Sequence, residues 1–94
     1  MTHHGTLHVF AQLFQHDDCN IVGDRDGLER LRAAIDQALA GGQGECGTFV
    51  NDGEGYAVRV KLADEATMDT LAVPYTDENA KESQTSSAIW PWKL

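Results

Sequence analysis

Cations are scarce in this 94-residue chain. Seven lysines and arginines stand against fifteen aspartates and glutamates, a formal net charge of −8. That balance disfavours direct binding to nucleic acid, which needs a basic patch to displace counterions. Cysteine is scarce too. Cys19 and Cys46 are too few for a disulfide framework, and in a reducing compartment they are expected to be free and largely buried. No apolar run approaches the length of a membrane span, and no basic segment followed by a long apolar run opens the sequence. The expectation is a cytoplasmic protein with no membrane partner.

Catalytic signatures are also missing. There is no Cys-x-x-Cys pair and no His-Glu-x-x-His. His16, Asp17, Asp18 and Cys19 are ligand types with His3, His4 and His8 nearby, but a polar turn beside a strand accounts for them without the convergent set that a metal needs. Neither cysteine is marked as an activated nucleophile. Asp52 and Glu54 flank Gly53 and Gly55, so a solvated hairpin turn explains that carboxylate pair. Gly23-Asp24-Arg25-Asp26-Gly27 precedes a helix pattern without the lysine and glycine spacing of a phosphate loop. No catalytic residue, cofactor or metal is assigned, and the chain reads as a non-enzyme.

What is present is one long helix pattern. Leu28, Leu31, Ile35 and Leu39 recur at three- and four-residue steps, flanked by Ala34 and Ala38, and predict an apolar face turned to the core. Asp24 and Asp26 both suit the N-cap. Glu29, three residues past Asp26, favours Asp26 through capping-box spacing. Arg32 and Asp36 are spaced as an ion pair, and Gly41-Gly42 supplies the stop.

Strand patterns surround it. In Leu7–Phe14, the set Leu7, Val9, Ala11 and Leu13 is wholly apolar and is expected to face inward. A turn follows at Gln15–Asp18, then a short strand at Cys19–Val22. After the helix come a strand over Glu45–Asn51, with Cys46, Thr48 and Val50 alternating against Gly47 and Phe49, a turn at Asp52–Gly55, and the cleanest strand of all, Tyr56–Leu62. In this last one Tyr56, Val58, Val60 and Leu62 share the buried side. The order predicts an α+β fold: a two-layer sandwich of a mainly antiparallel sheet in β-β-α-β-β order under one amphipathic helix. A single domain over 1–94 is expected, with its core at about 7–62.

Residues 63–94 differ in character. They hold two lysines and six carboxylates, so −4 of the total charge. Asp64–Leu71 suggests one or two helical turns, Val73-Pro74-Tyr75-Thr76 an extended stretch, Thr76–Glu82 a short capped helix, and Ser83–Ser87 a polar linker. Both tryptophans sit in Trp90-Pro91-Trp92. Large aromatics serve cores and interfaces alike, so the tail is expected to be ordered and docked on the core or on a partner. Tyr75, Asp77, Glu78, Trp90 and Trp92 are the candidate partner-binding residues.

Val22-Gly23-Asp24-Arg25-Asp26-Gly27-Leu28 leading into the helix, followed by Asp52-Gly53-Glu54-Gly55-Tyr56 and a strand, resembles the small immunity proteins of bacterial polymorphic toxin systems. The likeness covers about residues 19–62. It implies a protein that neutralises a cognate toxin by direct binding, without catalysis, and it carries over no binding residues. Acidity, small size and the aromatic tail point the same way, to a basic protein partner. Two rivals stand beside this reading. One is a phage or mobile-element inhibitor that mimics nucleic acid towards a host protein, which predicts carboxylates clustered on one face. The other is a small ligand-binding domain or enzyme with a pocket between sheet and tail, lined by His16, Cys19 or Tyr75. A homodimer is compatible with all three.

Overall fold

The computed structural model describes residues 5–12, 14, 16–74 and 88–94. Tyr75, Asp77 and Glu78, the expected helix at Thr76–Glu82 and the linker at Ser83–Ser87 lie outside the described residues. The elements run β1 (Leu7–Phe10), β2 (Asn20–Gly23), α1 (Arg25–Gly41), β3 (Gln43–Phe49), β4 (Gly55–Lys61), α2 (Glu65–Thr70) and a 3-10 turn at Pro91–Lys93. This is the expected α+β fold in β-β-α-β-β order, with its strands in two antiparallel ladders, β1–β2 and β3–β4. By contacts the chain divides into two compact units, Met1–Val9 with Ile21–Leu62 and Phe10–Asn20 with Ala63–Leu94.

The first unit is built around α1. Its N-cap is Asp24, not Asp26, and tertiary contacts explain the difference. Asp24 Oδ1 accepts from Gly27 N at 2.7 Å, Oδ2 accepts from Thr6 N at 3.3 Å, and Asp24 N donates to Thr6 O at 3.1 Å. One carboxylate thus caps the helix and fastens the chain just ahead of β1, which a capping box alone cannot do. Asp26, inside the first turn, pairs instead with Arg30 at 3.1 Å. At the other end Gly42 adopts φ 99° and donates to Ala38 O at 2.8 Å, the left-handed stop that the glycine pair implied.

The face that α1 buries corrects the sequence reading. Gly27, Ala34 and Ala38 are buried, while Leu28, Ile35 and Leu39 are 43%, 41% and 65% exposed. At about 100° per residue, Leu28, Ile35 and Leu39 lie a quarter-turn from the buried face, while Leu31, the stripe's fourth member, stands nearer to it and is half-buried. The reason is distance. A Cβ on Gly44 of β3 would lie 2.0 Å from Ala34 O, and one on Gly27 would lie 2.0 Å from Thr6 O. The helix is seated backbone-to-backbone on its neighbours, and only small residues fit beneath it.

β3 and β4 pair antiparallel from Gln43↔Lys61 to Phe49↔Gly55. The turn between them is held by Asp52 Oδ1, which accepts from Glu54 N at 2.9 Å, and by Gly53 at φ 91°. The alternation along β3 is as expected: Thr48 is buried and Cys46 half-buried, while Gly47 and Phe49 are exposed. Along β4, Tyr56, Val58 and Val60 are half-buried and Ala57 and Arg59 exposed, but Leu62, just past the strand, is exposed as well. β1 is shorter than Leu7–Phe14. Leu7 is fully buried, whereas Val9, inside the strand, and Ala11, past its end at Phe10, are both exposed. Leu13 lies outside the described residues. Cys19 is exposed and Cys46 half-buried, so the expectation of two largely buried thiols fails for Cys19.

In the second unit, α2 is capped by Asp64, whose side chain accepts from Thr67 N at 2.8 Å. Leu71 forms a parallel bridge with Ile89, and Ala72, buried, donates to Ile89 O at 2.7 Å.

Candidate functional site

Among the described residues, exposed apolar side chains gather on each unit. On the second unit, Trp90 and Trp92 stack on each other, ring centroids 5.3 Å apart and planes within 10°. Local chemistry sets this arrangement. Trp90 is the extended residue ahead of Pro91, and Pro91 opens a 3-10 turn in which Lys93 N donates to Trp90 O at 2.9 Å. The turn brings the two indoles to the same side. Trp90 is 37% and Trp92 69% exposed. A stacked indole pair offers an apolar platform with a π face, which takes flat apolar groups and cations. The structure brings these two predicted residues together; Tyr75, Asp77 and Glu78 lie outside the described residues.

On the first unit, the second surface is one that sequence reasoning placed in the core. Arg30 and Gln37 lie about 70° to one side of the buried face of α1, and Leu28, Ile35 and Leu39 lie about 100° to the other. The first side covers β3. Arg30 donates through Nη1 to Gly47 O at 3.0 Å, and Gln37 Oε1 accepts from Glu45 N at 3.3 Å. Neither residue belongs to the apolar periodicity of the helix. What singles them out is their seven-residue spacing one step off the Gly27–Ala34 row, and that signal needs the buried face to be known first.

The sheet carries one further feature. Val50 N donates to Glu54 O at 3.0 Å and Leu62 N to Gly42 O at 2.9 Å at the two ends of the β3–β4 ladder. In this register the even-numbered residues are the hydrogen-bonded pairs, and the odd-numbered ones turn their N–H and C=O groups away from the partner strand. On β3 those outward groups meet Gln37 at Glu45, Arg30 at Gly47 and Gly5 O at Phe49 N, the last at 3.1 Å. β4 is the other edge of this two-stranded sheet.

Three ion pairs lie on this unit among the described residues. Arg25 pairs with Glu29 at 3.8 Å, Arg30 with Asp26, and Arg59 with Glu45 across the ladder at 3.6 Å. These are exposed pairs of small energetic weight. The Arg32–Asp36 spacing is not among the ion pairs found in the described residues. Shallow grooves flank α1, one lined by Arg25, Leu28, Glu29 and Arg32 and one by Gln37, Gln43, Gly44, Glu45, Arg59 and Lys61. Neither is lined by His16 or Cys19, both of which are exposed. Among the described residues no group of three or more His, Cys, Asp or Glu side chains converges on a metal-sized site, and no helix is long and apolar enough to cross a membrane.

Tyr56 bonds the first unit together from below. Its hydroxyl donates to Leu7 O. Burial, and then the neighbouring Cys46 thiol, raise its pKa above the ordinary tyrosine value. Thr48, almost fully buried, donates its hydroxyl to Gly5 O. These bonds fix Gly5 and Leu7 to the sheet, and among the described residues no buried side-chain nitrogen or oxygen lacks a partner. No protein-family model, no curated protein and no solved structure matches this chain.

Proposed function

We propose that this chain is a non-enzymatic protein-binding module whose contact point is the Trp90–Trp92 platform. The observation that carries the reading is the stacked, exposed indole pair. Two tryptophans held face to face by a proline-started turn lose little conformational freedom on binding, and tryptophan is enriched among residues that dominate interface energies. The surrounding sequence sets the partner's sign. Residues 63–94 carry a net charge of −4, so an arginine or lysine of a basic partner finds both a π face and a favourable field. The immunity-type reading gives that partner a role, a cognate toxin neutralised by occlusion in the cytoplasm. The nucleic-acid-mimic reading calls for unpaired carboxylates clustered on one face, whereas Asp26, Glu29 and Glu45 are each paired with an arginine.

The test is capture from the native host with the wild-type chain and with a Trp90→Ala/Trp92→Ala variant of verified fold, followed by reconstitution with the purified partner. The reading expects a stoichiometric basic protein whose affinity falls at least a hundredfold in the variant. A purified partner that binds both chains equally would remove the platform from the function. An immunity role further requires that the chain abolish the partner's toxic activity in trans.

A further inference from the structure

Glycine follows aspartate at two places in this chain, Asp26-Gly27 and Asp52-Gly53. Such a bond is chemically labile, because glycine has no side chain to shield its nitrogen from the aspartate's own carboxyl. Both places lie in the first unit, and the fold sets them in opposite surroundings. Asp26-Gly27 is in the first turn of α1. Gly27 is buried, its N–H donates to Asp24 Oδ1 at 2.7 Å, and a Cβ on it would lie 2.0 Å from Thr6 O. The Asp26 carboxylate is held by Arg30 at 3.1 Å. A five-membered ring joining Asp26 Cγ to Gly27 N needs an aspartate ψ far from the helical value of about −42°. That ring cannot close until the first turn of α1 unwinds and parts from Thr6.

Asp52-Gly53 sits at the tip of the β3–β4 turn, where Asn51 through Gly55 are all exposed. Gly53 takes φ 91°, and a Cβ there would meet nothing within 4 Å, so a ring at this position has room. The bonds that hold the tip are local. Gly53 N donates to Val50 O at 3.0 Å, and Asp52 Oδ1 accepts from Glu54 N at 2.9 Å. Opening exposed bonds within one turn costs far less than unwinding a helix end seated on its neighbour.

We infer that Asp52 is a site of spontaneous covalent isomerisation and that the fold protects Asp26 from the same reaction. The Gly53 nitrogen attacks Cγ of the protonated Asp52 carboxyl. The amide hydrogen and the carboxyl OH leave together as water, and the new Cγ–N bond closes a succinimide. Water then opens the ring. Attack at Cγ breaks the new bond and restores aspartate. Attack at the main-chain carbonyl carbon breaks its bond to the Gly53 nitrogen, frees it as a carboxylate and leaves the chain running through Cβ and Cγ. One water departs and one returns, so the isoaspartate has the mass of the aspartate, and no cofactor or oxidant takes part. The product lengthens the main chain by one carbon between Val50 and Glu54, whose N–H and C=O close the end of the ladder at 3.0 Å. It also withdraws the carboxylate that accepts from Glu54 N.

The test ages the full-length chain at mildly acidic pH, below its melting temperature, once folded and once in urea. Proteolysis and electron-based fragmentation then separate isoaspartate from aspartate at each position. In urea both sites convert. In the folded chain Asp52 should convert at least about tenfold faster than Asp26, a ratio equivalent to about 1.4 kcal/mol of differential protection. Folding should slow Asp52 itself by less than that factor. Asp52→Glu, whose longer side chain cannot close the five-membered ring, should abolish the product in its peptide. A smaller ratio between the two folded sites overturns the inference. So does a tenfold or greater slowing of Asp52 on folding, or a product that persists in Asp52→Glu.

Discussion

Alanine in place of Gly27 gives the sharpest test of how α1 is seated. In the interior of a helix this substitution ordinarily stabilises by about 0.5–1 kcal/mol, because glycine loses more backbone entropy on folding. Here the new Cβ would sit 2.0 Å from Thr6 O and 2.7 Å from Thr6 C, both backbone atoms that cannot rotate away. Ordinary contact begins at 3.4 Å, so helix and strand must part by more than about 1 Å. Overpacking of this kind costs about 1–3 kcal/mol, and parting also strains the two bonds between Asp24 and Thr6, each worth about 1 kcal/mol net. The sum is a net loss of about 2–3 kcal/mol. Gly41, the last residue of the same helix, is the internal standard: a Cβ there meets nothing within 4 Å. Gly41→Ala should be neutral or stabilise by up to about 1 kcal/mol. Urea unfolding followed by far-ultraviolet circular dichroism reads both, and at about 4–8 °C per kcal/mol for a chain of this size their melting temperatures should differ by at least about 10 °C. If Gly27→Ala matches or exceeds Gly41→Ala, the close seating of the helix is wrong.

Asp24→Ala should cost about 1–2 kcal/mol, the loss of a cap that also holds Thr6, while Asp26→Ala should cost only about 0.3–0.5 kcal/mol as a broken exposed pair; denaturant midpoints separate them. Tyr56 gives an alkaline limit. Its pKa is higher folded than unfolded, so its contribution is complete below the unfolded value near 10 and is lost as pH rises through the folded value. Tyr56→Phe should cost about 1 kcal/mol at neutral pH and flatten the alkaline fall in melting temperature. Asp64 titrates in the opposite sense. The Thr67 amide and hydroxyl hold its pKa below the ordinary aspartate value, so the cap of α2 is intact above about pH 3.9 and is lost as pH falls through the lower folded value. A carboxyl titration by nuclear magnetic resonance that places Asp64 at or above the ordinary value contradicts the capping bond.

Local chemistry was legible and helix orientation was not. The stop at Gly42, the turn at Gly53, the alternation of Cys46 and Thr48 against Gly47 and Phe49, and the capped turn after Asp64 all follow from interactions within four or five residues, and the sequence carries those directly. The N-cap went to Asp24 because Thr6, eighteen residues away, uses the same carboxylate. The buried face of α1 was misjudged for a related reason. Periodicity finds the largest apolar side chains, but the inside is decided by how close two backbones come, and Gly27, Ala34 and Gly44 give little sign of that in a hydrophobicity pattern. The Trp90–Trp92 pair was identified by residue type alone. Its stacking depends on the Pro91 turn, a local device, whereas Arg30 and Gln37 act over seventeen and eight residues and left no mark.

A first unit whose helix is seated on glycine and alanine has a calorimetric consequence. The change in heat capacity on unfolding scales with apolar surface exposed, and among the described residues of the first unit the buried hydrophobic ones are Leu7, Ala34 and Ala38, small but for the first. Thermal unfolding of the isolated chain should therefore show a shallow heat-capacity step and a broad, flat stability curve.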